Sequence, residues 1–303
     1  MSDAGIVNVT TNLGYEGGAA AGTGMVLTSS GEVLTNNHVI RGATAIRVSD
    51  PSTGRSYAAS VVGYSVGGDV AVLQLRSASH LRTVSLGDSS RVRVGQSVTA
   101  LGNAGGGGGA PIAAAGSVTG LNRSIVVSDD HGATARLVNL IRIDAALQPG
   151  DSGGPLLNSS GRVIGMDTAA SRGYEFQGSS GDGYAIPINR ALQTVRQIEA
   201  HHASATVHIG ATPFLGVDLS PSRSGLGSGP FVAGIATDSP AERAGISVGS
   251  LITRLDGRAV ATPEQLTALL LRHRAGDTVT LRWIDGVGTV HSKSIKTASG
   301  PPQ

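Results

Sequence analysis

Cysteine is absent from this chain, which removes disulfide staples, thiolate zinc sites and a thiol nucleophile together. Lysine is almost absent as well: Lys293 and Lys296 are the only two, and arginine carries nearly all the positive charge. The net charge of +2 is too small to draw a polyanion, which argues against nucleic acid as a partner. No apolar run approaches the length of a membrane-spanning helix. The opening Met1-Ser2-Asp3-Ala4-Gly5 lacks the basic flank and apolar core of a secretory signal, so the expectation is a cytoplasmic chain or one whose targeting segment was removed.

Glycine, by contrast, is plentiful. As far as about residue 190 it punctuates short apolar runs, which fits many short strands joined by tight turns. Gly24–Thr28 and Glu32–Thr35 flank Ser29-Ser30-Gly31 and predict a hairpin. Further strands are predicted at Ala45–Val48, Ser60–Tyr64, Val70–Leu75, Ser97–Leu101, Gly116–Leu121, Leu137–Ile143, Pro155–Leu157, Val163–Thr168 and Tyr184–Ile188. Such spacing predicts an all-β barrel or sandwich. Gly105–Gly109 reads as a mobile loop; no lysine follows it and no helix opens there, so it is not a phosphate cradle.

The periodicity then changes. Asn189 is placed to cap a helix with Leu192, Val195 and Ile198 on one face, fading at His201-His202, a solvated helix end rather than a metal pair. Residues 201–210 read as a linker between a first domain, 1–200, and a second, 211–298. In the second, Ser239-Pro240-Ala241-Glu242 and Thr262-Pro263-Glu264-Gln265 each combine a capping box with proline at the first helical position. The first of these helices closes at Gly245. The second carries Leu266, Leu269 and Leu270 inward and is predicted to stop at Gly276. Strands at Phe231–Ile235, Leu251–Leu255 and Val279–Ile284 complete a small α+β module. Residues 299–303 read as a disordered tail.

Chemistry concentrates in Gly150-Asp151-Ser152-Gly153-Gly154-Pro155, one serine between glycines. A serine hydroxyl needs a neighbouring base and an anion-stabilising cradle, and glycines let backbone N–H groups converge beside it. Upstream, Thr35-Asn36-Asn37-His38-Val39-Ile40 offers a histidine after a strand, and Gly68-Asp69-Val70-Ala71-Val72-Leu73 an aspartate before one. Alone, each is an ordinary surface, turn or core residue. Together they give the order His, Asp, Ser, one of the known linear orders of a catalytic triad. Gly150–Gly154 also fits the Gly-x-Ser-x-Gly elbow of esterases, but the alternating strand–helix units are missing and the histidine comes first.

TNNHV, DVAVL and GDSGGP, in this order and spacing, resemble the HtrA (DegP-like) serine proteases, and within them the actinobacterial PepA-like group. GTGMVL, Leu101–Asn103, Ile164–Ala169 and Gly183–Pro187 extend the likeness over nearly the whole chain. The resemblance implies a mainly β fold: a chymotrypsin-like double six-stranded β-barrel followed by a small α+β PDZ domain. It implies that Ser152 attacks the scissile carbonyl, His38 moves the proton, and Asp69 orients the imidazole. The N–H groups of Gly150 and Ser152 would form the oxyanion hole. Asp151 either pairs with a newly cut N-terminus, as in secreted digestive relatives, or is bonded to local backbone or an arginine.

Six positions before the serine stands Ala146, then Leu147; Thr168, Ala169 and Ala170 with Gly183 and Ala185 would supply the other walls of an apolar specificity pocket. Such a pocket predicts cleavage after small or medium aliphatic residues. The Ser171–Asp182 loop is expected to be mobile. In the second module, Phe214, Leu215, Gly216 and Val217 match a carboxylate-capturing loop. A peptide would add beside Val217–Leu219 with its last side chain toward Leu266 and Leu270. No cofactor or metal is implied. The resemblance further implies ATP-independent degradation of unfolded protein, binding of C-terminal peptides, an extracytoplasmic or secreted location, and homotrimers to which Tyr15 contributes. The alternative is a chaperone-like, peptide-binding scaffold with latent proteolysis.

Overall fold

In the computed structural model residues 4–15, 17–129, 134–168, 174–176, 182–204, 206–220 and 229–303 are described. They fall into two compact units, Met1–Val207 and His208–Gln303.

The first unit contains two antiparallel barrels. Arg55–Ser65, Ala45–Asp50, Ile6–Asn12, Ala19–Val26, Glu32–Thr35 and Val70–Leu75 pair in that order, and the last returns to the first. Ile112–Asp129, Ser97–Gly102, Pro155–Asn158, Val163–Thr168, Gly183–Pro187 and Thr134–Ile143 close in the same way. Tyr174–Phe176 adds to the outside of the second barrel through Val127–Asp129. Closure pairs each of the twelve barrel strands on both sides, so neither barrel ring has an edge of its own. The strand Ile6–Asn12 escapes sequence prediction because Asn8 and Thr11 interrupt its apolar pattern. Both are buried and both find a backbone acceptor: Asn8 Nδ2 donates to Gly109 O at 3.0 Å and Thr11 Oγ1 to Ala20 O at 3.3 Å.

The helix Ile188–Glu199 buries Ile188, Ala191, Val195 and Ile198, and packs on strands of both barrels, Val163–Thr168 in one and Val70–Leu75 in the other. Two expectations change here. Pro187, not Asn189, occupies the cap position, and Asn189 Nδ2 instead donates to Asp88 Oδ1 at 2.8 Å. Leu192 is only half-buried, since its place on the packed stripe is taken by Ala191. The last helical residue, Glu199, meets Glu32. Burial, then the charge of Glu199 and a hydrogen bond from it, push the Glu32 carboxyl up to about 7. Because the folded value lies above the unfolded 4.5, stability from this group is complete below 4.5 and is lost as pH rises to about 7. Over that window the melting temperature of the parent should fall relative to Glu32→Gln; parallel melting curves would exclude the effect.

In the second unit, Val217–Ser220, Phe231–Ile235, Leu251–Leu255, Thr278–Ile284 and Val290–Lys296 form one sheet, with Arg258–Ala259 beside Leu251–Leu255. Thr278–Ile284 alternates strictly: Val279, Leu281 and Trp283 are at most 1% exposed, the period-two signature of a strand with one face on a core. Leu266 from the helix Pro263–Leu270 and Ala241 from Pro240–Ala244 join that core. Ser239 and Thr262 accept the third-residue N–H groups as a capping box requires. The reciprocal bonds reach one residue further back: Glu242 accepts from Asp238 N and Gln265 from Ala261 N.

Three boundaries differ from the sequence expectation. The second helix ends at Leu270, six residues before Gly276; Asp277 Oδ2 takes the Arg274 N–H at 2.8 Å and a separate turn forms there. Within the predicted linker, His208–Ile209 forms a short strand. The tail expected to be disordered is a strand: Ala298–Gly300 pairs with Thr212–Phe214, and Pro302 is buried. The flat, small side chains Ala298, Ser299 and Gly300 permit that pairing, with Gly300 lying directly against the Phe214 ring.

Candidate active site

Asp69 sits in the turn that opens Val70–Leu75, in the left-handed region at φ +52, and is 2% exposed. A non-glycine residue held there is strained, and such strain persists only where the surroundings over-determine it. They do. Both carboxylate oxygens stand 3.0 Å from His38 Nδ1. Oδ1 also accepts the His38 backbone N–H at 3.1 Å; Oδ2 accepts from Asn36 Nδ2 at 3.0 Å and from Thr168 Oγ1 at 3.3 Å. Asn36 Nδ2 is additionally 2.9 Å from Asp69 O. Since a carboxylate can only accept, Nδ1 carries the ring proton, and Nε2 is left with the lone pair that a general base needs.

His38 is presented by the one-turn helix Asn37–Ile40 that follows Glu32–Thr35. Across from it the nucleophile loop is stitched to the first barrel through Thr23. Thr23 N donates to Ser152 O at 2.8 Å, and Thr23 Oγ1 to Gly150 O at 2.7 Å. Thr23 O accepts from Thr35 Oγ1 at 2.7 Å, and Thr23 Oγ1 accepts from Asn103 N at 2.9 Å. A side chain at Gly22 would strike Val39, next to His38, and lie 3.2 Å from Ser152 O, so the histidine and serine segments approach as closely as glycine allows. Ser152 is 1% exposed.

From the second barrel, Asp167 grips the same loop through its backbone: Gly153 N donates to Asp167 O at 3.0 Å and Asp167 N to Gly154 O at 2.8 Å. Gly150 and Gly153 take φ of +103 and +86, conformations that an L side chain resists. The glycine run after Asn103, expected to be mobile, is instead part of this support. Gly105 N donates to Pro149 O at 2.8 Å, Gly108 N to Asn103 Oδ1 at 2.8 Å, and Gly109 O accepts from Asn8. A Cβ at Gly150 would lie 2.2 Å from Asn103 O, so only bare backbone fits on either side of that contact. In a trans peptide N–H and C=O point oppositely, so the Gly150 N–H is directed away from the glycine run. Asp151 takes the local-backbone alternative, with Oδ2 accepting from Gln148 N at 2.8 Å.

The predicted pocket residues do not form one group. Leu147 and Gly183 meet, since a Cβ at Gly183 would lie 3.0 Å from Leu147 Cγ. Ala146 is exposed. Ala185 belongs to the apolar core of the second barrel, and Thr168 turns its hydroxyl to Asp69 rather than to a pocket. Ala169 and Ala170 lie outside the described residues, as does most of the Ser171–Asp182 loop. Asp182, beside Gly183, is a carboxylate the sequence reading left aside; Arg142 Nη1 stands 3.8 Å from it.

In the second unit, Phe214, Leu215, Gly216, Val217, Leu219, Leu266 and Leu270 all line one groove, together with Gln303. Val217–Ser220 is the end strand of its sheet, paired on one side with Phe231–Ile235. The loop before it is pinned by its carbonyls, Leu215 O accepting from Ala241 N and Gly216 O from Ala236 N, both at 2.9 Å.

Residues 22–166 match the trypsin-like peptidase domain model, and residues 213–286 the PDZ domain model. The chain is 32% identical over 320 residues to the serine protease PepD of Mycobacterium tuberculosis, covering 97% of this chain and 63% of that protein. It is 32% identical over 270 residues to the periplasmic serine endoprotease DegP of Escherichia coli, covering 86% and 54%. The chain thus spans less than two thirds of the length of either relative. Among solved structures it is similar to the HtrA-type protease AlgW with a tripeptide, at 28% identity and a TM-score of 0.56, covering 100% of this chain and 96% of that one.

Proposed function

Since the chain belongs to the HtrA/DegP-like family of trypsin-fold serine proteases with a PDZ domain, we propose that it is an ATP-independent endopeptidase acting through Ser152, His38 and Asp69. The observation that carries this reading is Asp69, buried and strained, with both oxygens on His38 Nδ1 and further donors from Asn36 and Thr168. In the reaction His38 takes the Ser152 proton as the hydroxyl attacks the scissile carbonyl, then delivers it to the leaving amine. Asp69 keeps the ring in the productive tautomer and stabilises its charged form. The N–H groups of Gly150 and Ser152 receive the oxyanion, each donor contributing about 3–4 kcal/mol in comparable enzymes.

Substrates are unfolded or partly folded proteins cleaved after small or medium aliphatic residues. The contact of Leu147 with Gly183 supports a shallow apolar wall, and Arg142 near Asp182 supports a carboxylate already engaged and poorly placed to receive a cationic side chain. The groove between Val217–Ser220 and Leu266 and Leu270 takes a C-terminal peptide as an added strand. An extracytoplasmic location follows from relatives such as the periplasmic E. coli protein. One experiment covers the reading: digestion of unfolded casein by the parent, with Ser152→Ala as control and product termini sequenced. Aliphatic residues are expected before the cut, and a free-carboxylate peptide should bind the Ser152→Ala protein while its amidated twin does not. Equal digestion by the two proteins, or cleavage mainly after arginine, would overturn it.

A further inference from the structure

Among the described residues, Asp167 is the most anomalous buried group. It is 0% exposed on the strand Val163–Thr168, and neither carboxyl oxygen has a hydrogen-bond partner among the described residues. Asp151, 3% exposed and directly before the nucleophile, likewise has one oxygen, Oδ1, without a partner. Two ionised carboxylates placed so would be prohibitively costly in a medium of low dielectric. One proton removes the conflict, because a protonated acid is a donor where a carboxylate only accepts. Asp167 is also not a bystander. Its backbone N–H and C=O hold Gly154 and Gly153, and the next residue, Thr168, donates to Asp69.

We propose that Asp167 is a positioning residue for the proteolytic reaction, which un-ionised lies beneath the nucleophile loop beside Asp151 and keeps Gly150–Gly154 in its working conformation. The proposal rests on the protease reading above. The two acids together then carry one negative charge. Deprotonating Asp167 sets two buried like charges against each other, and the strain is relieved where backbone can move, at Gly153 and Gly154, so Ser152 leaves its register. Burial first, then the charge of Asp151, hold the Asp167 carboxyl well above the ordinary carboxylate range. Burial also raises Asp151, offset in part by the Gln148 N–H. With a folded value above the unfolded one, the contribution of the protonated form is complete below the ordinary aspartate value and is lost as pH rises through the folded value.

Among the described residues, the other charged groups around this strand are accounted for. Thr168 leads to Asp69 and, through it, His38 in the first barrel. The adjacent strand Gly183–Pro187 carries Tyr184, opposite Thr168 rather than Asp167, and Pro155–Asn158 carries no titratable side chain. The helix Ile188–Glu199 buries only the apolar Ile188, Ala191, Val195 and Ile198, while Arg190 is turned to Val138 O and Glu199 lies with Glu32. Asp151 remains the charge that acts on Asp167.

The test measures two things on the full chain as pH is raised: kcat/KM on an aliphatic peptide amide, and the infrared carbonyl band of an un-ionised carboxylic acid. Every protein compared, parent included, carries Glu32→Gln, because the Glu32 carboxyl, pushed up to about 7, would give the same band. In the parent that band is present at neutral pH and fades in step with an alkaline loss of activity that reverses on return. Asp167→Asn removes the band and flattens the alkaline loss. Asp151→Asn keeps the band but moves its fading to lower pH, because without the Asp151 charge Asp167 ionises more readily. Asp167→Ala lowers kcat/KM about tenfold, the rate equivalent of one buried hydrogen bond, and Asp167→Asn restores most of that loss. Parent lacking the band, or Asp167→Asn sharing the parent's alkaline profile, would overturn the proposal. Should the parent hydrolyse nothing, the protease reading fails, while the infrared titration of the parent and Asp167→Asn still decides the acid pair, whether or not the alanine variant folds.

Discussion

Replacing Ser152 by alanine is expected to lower turnover about 10⁶-fold, the scale seen when a triad nucleophile is removed and only binding and oxyanion stabilisation remain. Asp69→Asn is the more discriminating change, with an expected loss of about 10⁴-fold. An asparagine amide facing His38 Nδ1 can donate, which favours the tautomer with its proton on Nε2, unable to act as base. The fold should tolerate the change, because asparagine accepts the left-handed backbone at φ +52 about as readily as aspartate. Asn36 and Thr168 also keep an oxygen to donate to. Melting temperature should therefore move little while kcat/KM collapses. A fluorophosphonate probe should label Ser152 far more slowly in Asp69→Asn than in the parent. Activity of Asp69→Asn within tenfold of the parent would mean that Asp69 is a structural carboxylate and that the base is oriented by something else.

Much of this site was legible because its chemistry demands particular residues in short segments. The strands Val70–Leu75 and Val163–Thr168 coincide with their predicted bounds, since apolar and β-branched residues dominate both, interrupted only by Gln74 in one and by Gly165 and Asp167 in the other. The caps at Ser239 and Thr262 were equally plain, because a capping box is local. Partnerships across long separations were not. Asn36 lies inside the TNNHV motif, yet nothing in the sequence tells that its amide reaches Asp69, 33 residues on. Thr168 was expected in a pocket wall from the family resemblance, and nothing local in the sequence points to its partner 99 residues away. Composition likewise marked the glycine run after Asn103 as loose, whereas packing makes it the seat of Pro149 and Gly150. Asp167 is the extreme case: a carboxylate in a strand otherwise reads as solvent-facing, and only the closed barrel reveals that it is buried.

Gly153→Ala should disable the enzyme from a position that carries no reacting group. A Cβ there would stand 2.1 Å from Thr23 O and 2.3 Å from Thr35 Oγ1. Neither atom can yield cheaply, because Thr35 Oγ1 already donates to Thr23 O and Thr23 N already holds Ser152 O. The left-handed backbone at φ +86 adds about 1–2 kcal/mol for alanine before any overlap is counted. Relief must come from the loop, and the first residue carried with it is Ser152. A displacement near 1 Å is enough to cost about 10²-fold in rate, so kcat/KM should fall at least about that much. Gly161→Ala separates geometry from backbone cost: its φ is +71, but nothing lies within 4 Å of the added methyl. That variant should melt somewhat lower yet keep its activity. Equal activity in the two alanine variants would show that the loop absorbs a side chain without moving the serine, and that the tight seat between Thr23, Thr35 and Asp167 is not what holds the nucleophile in place.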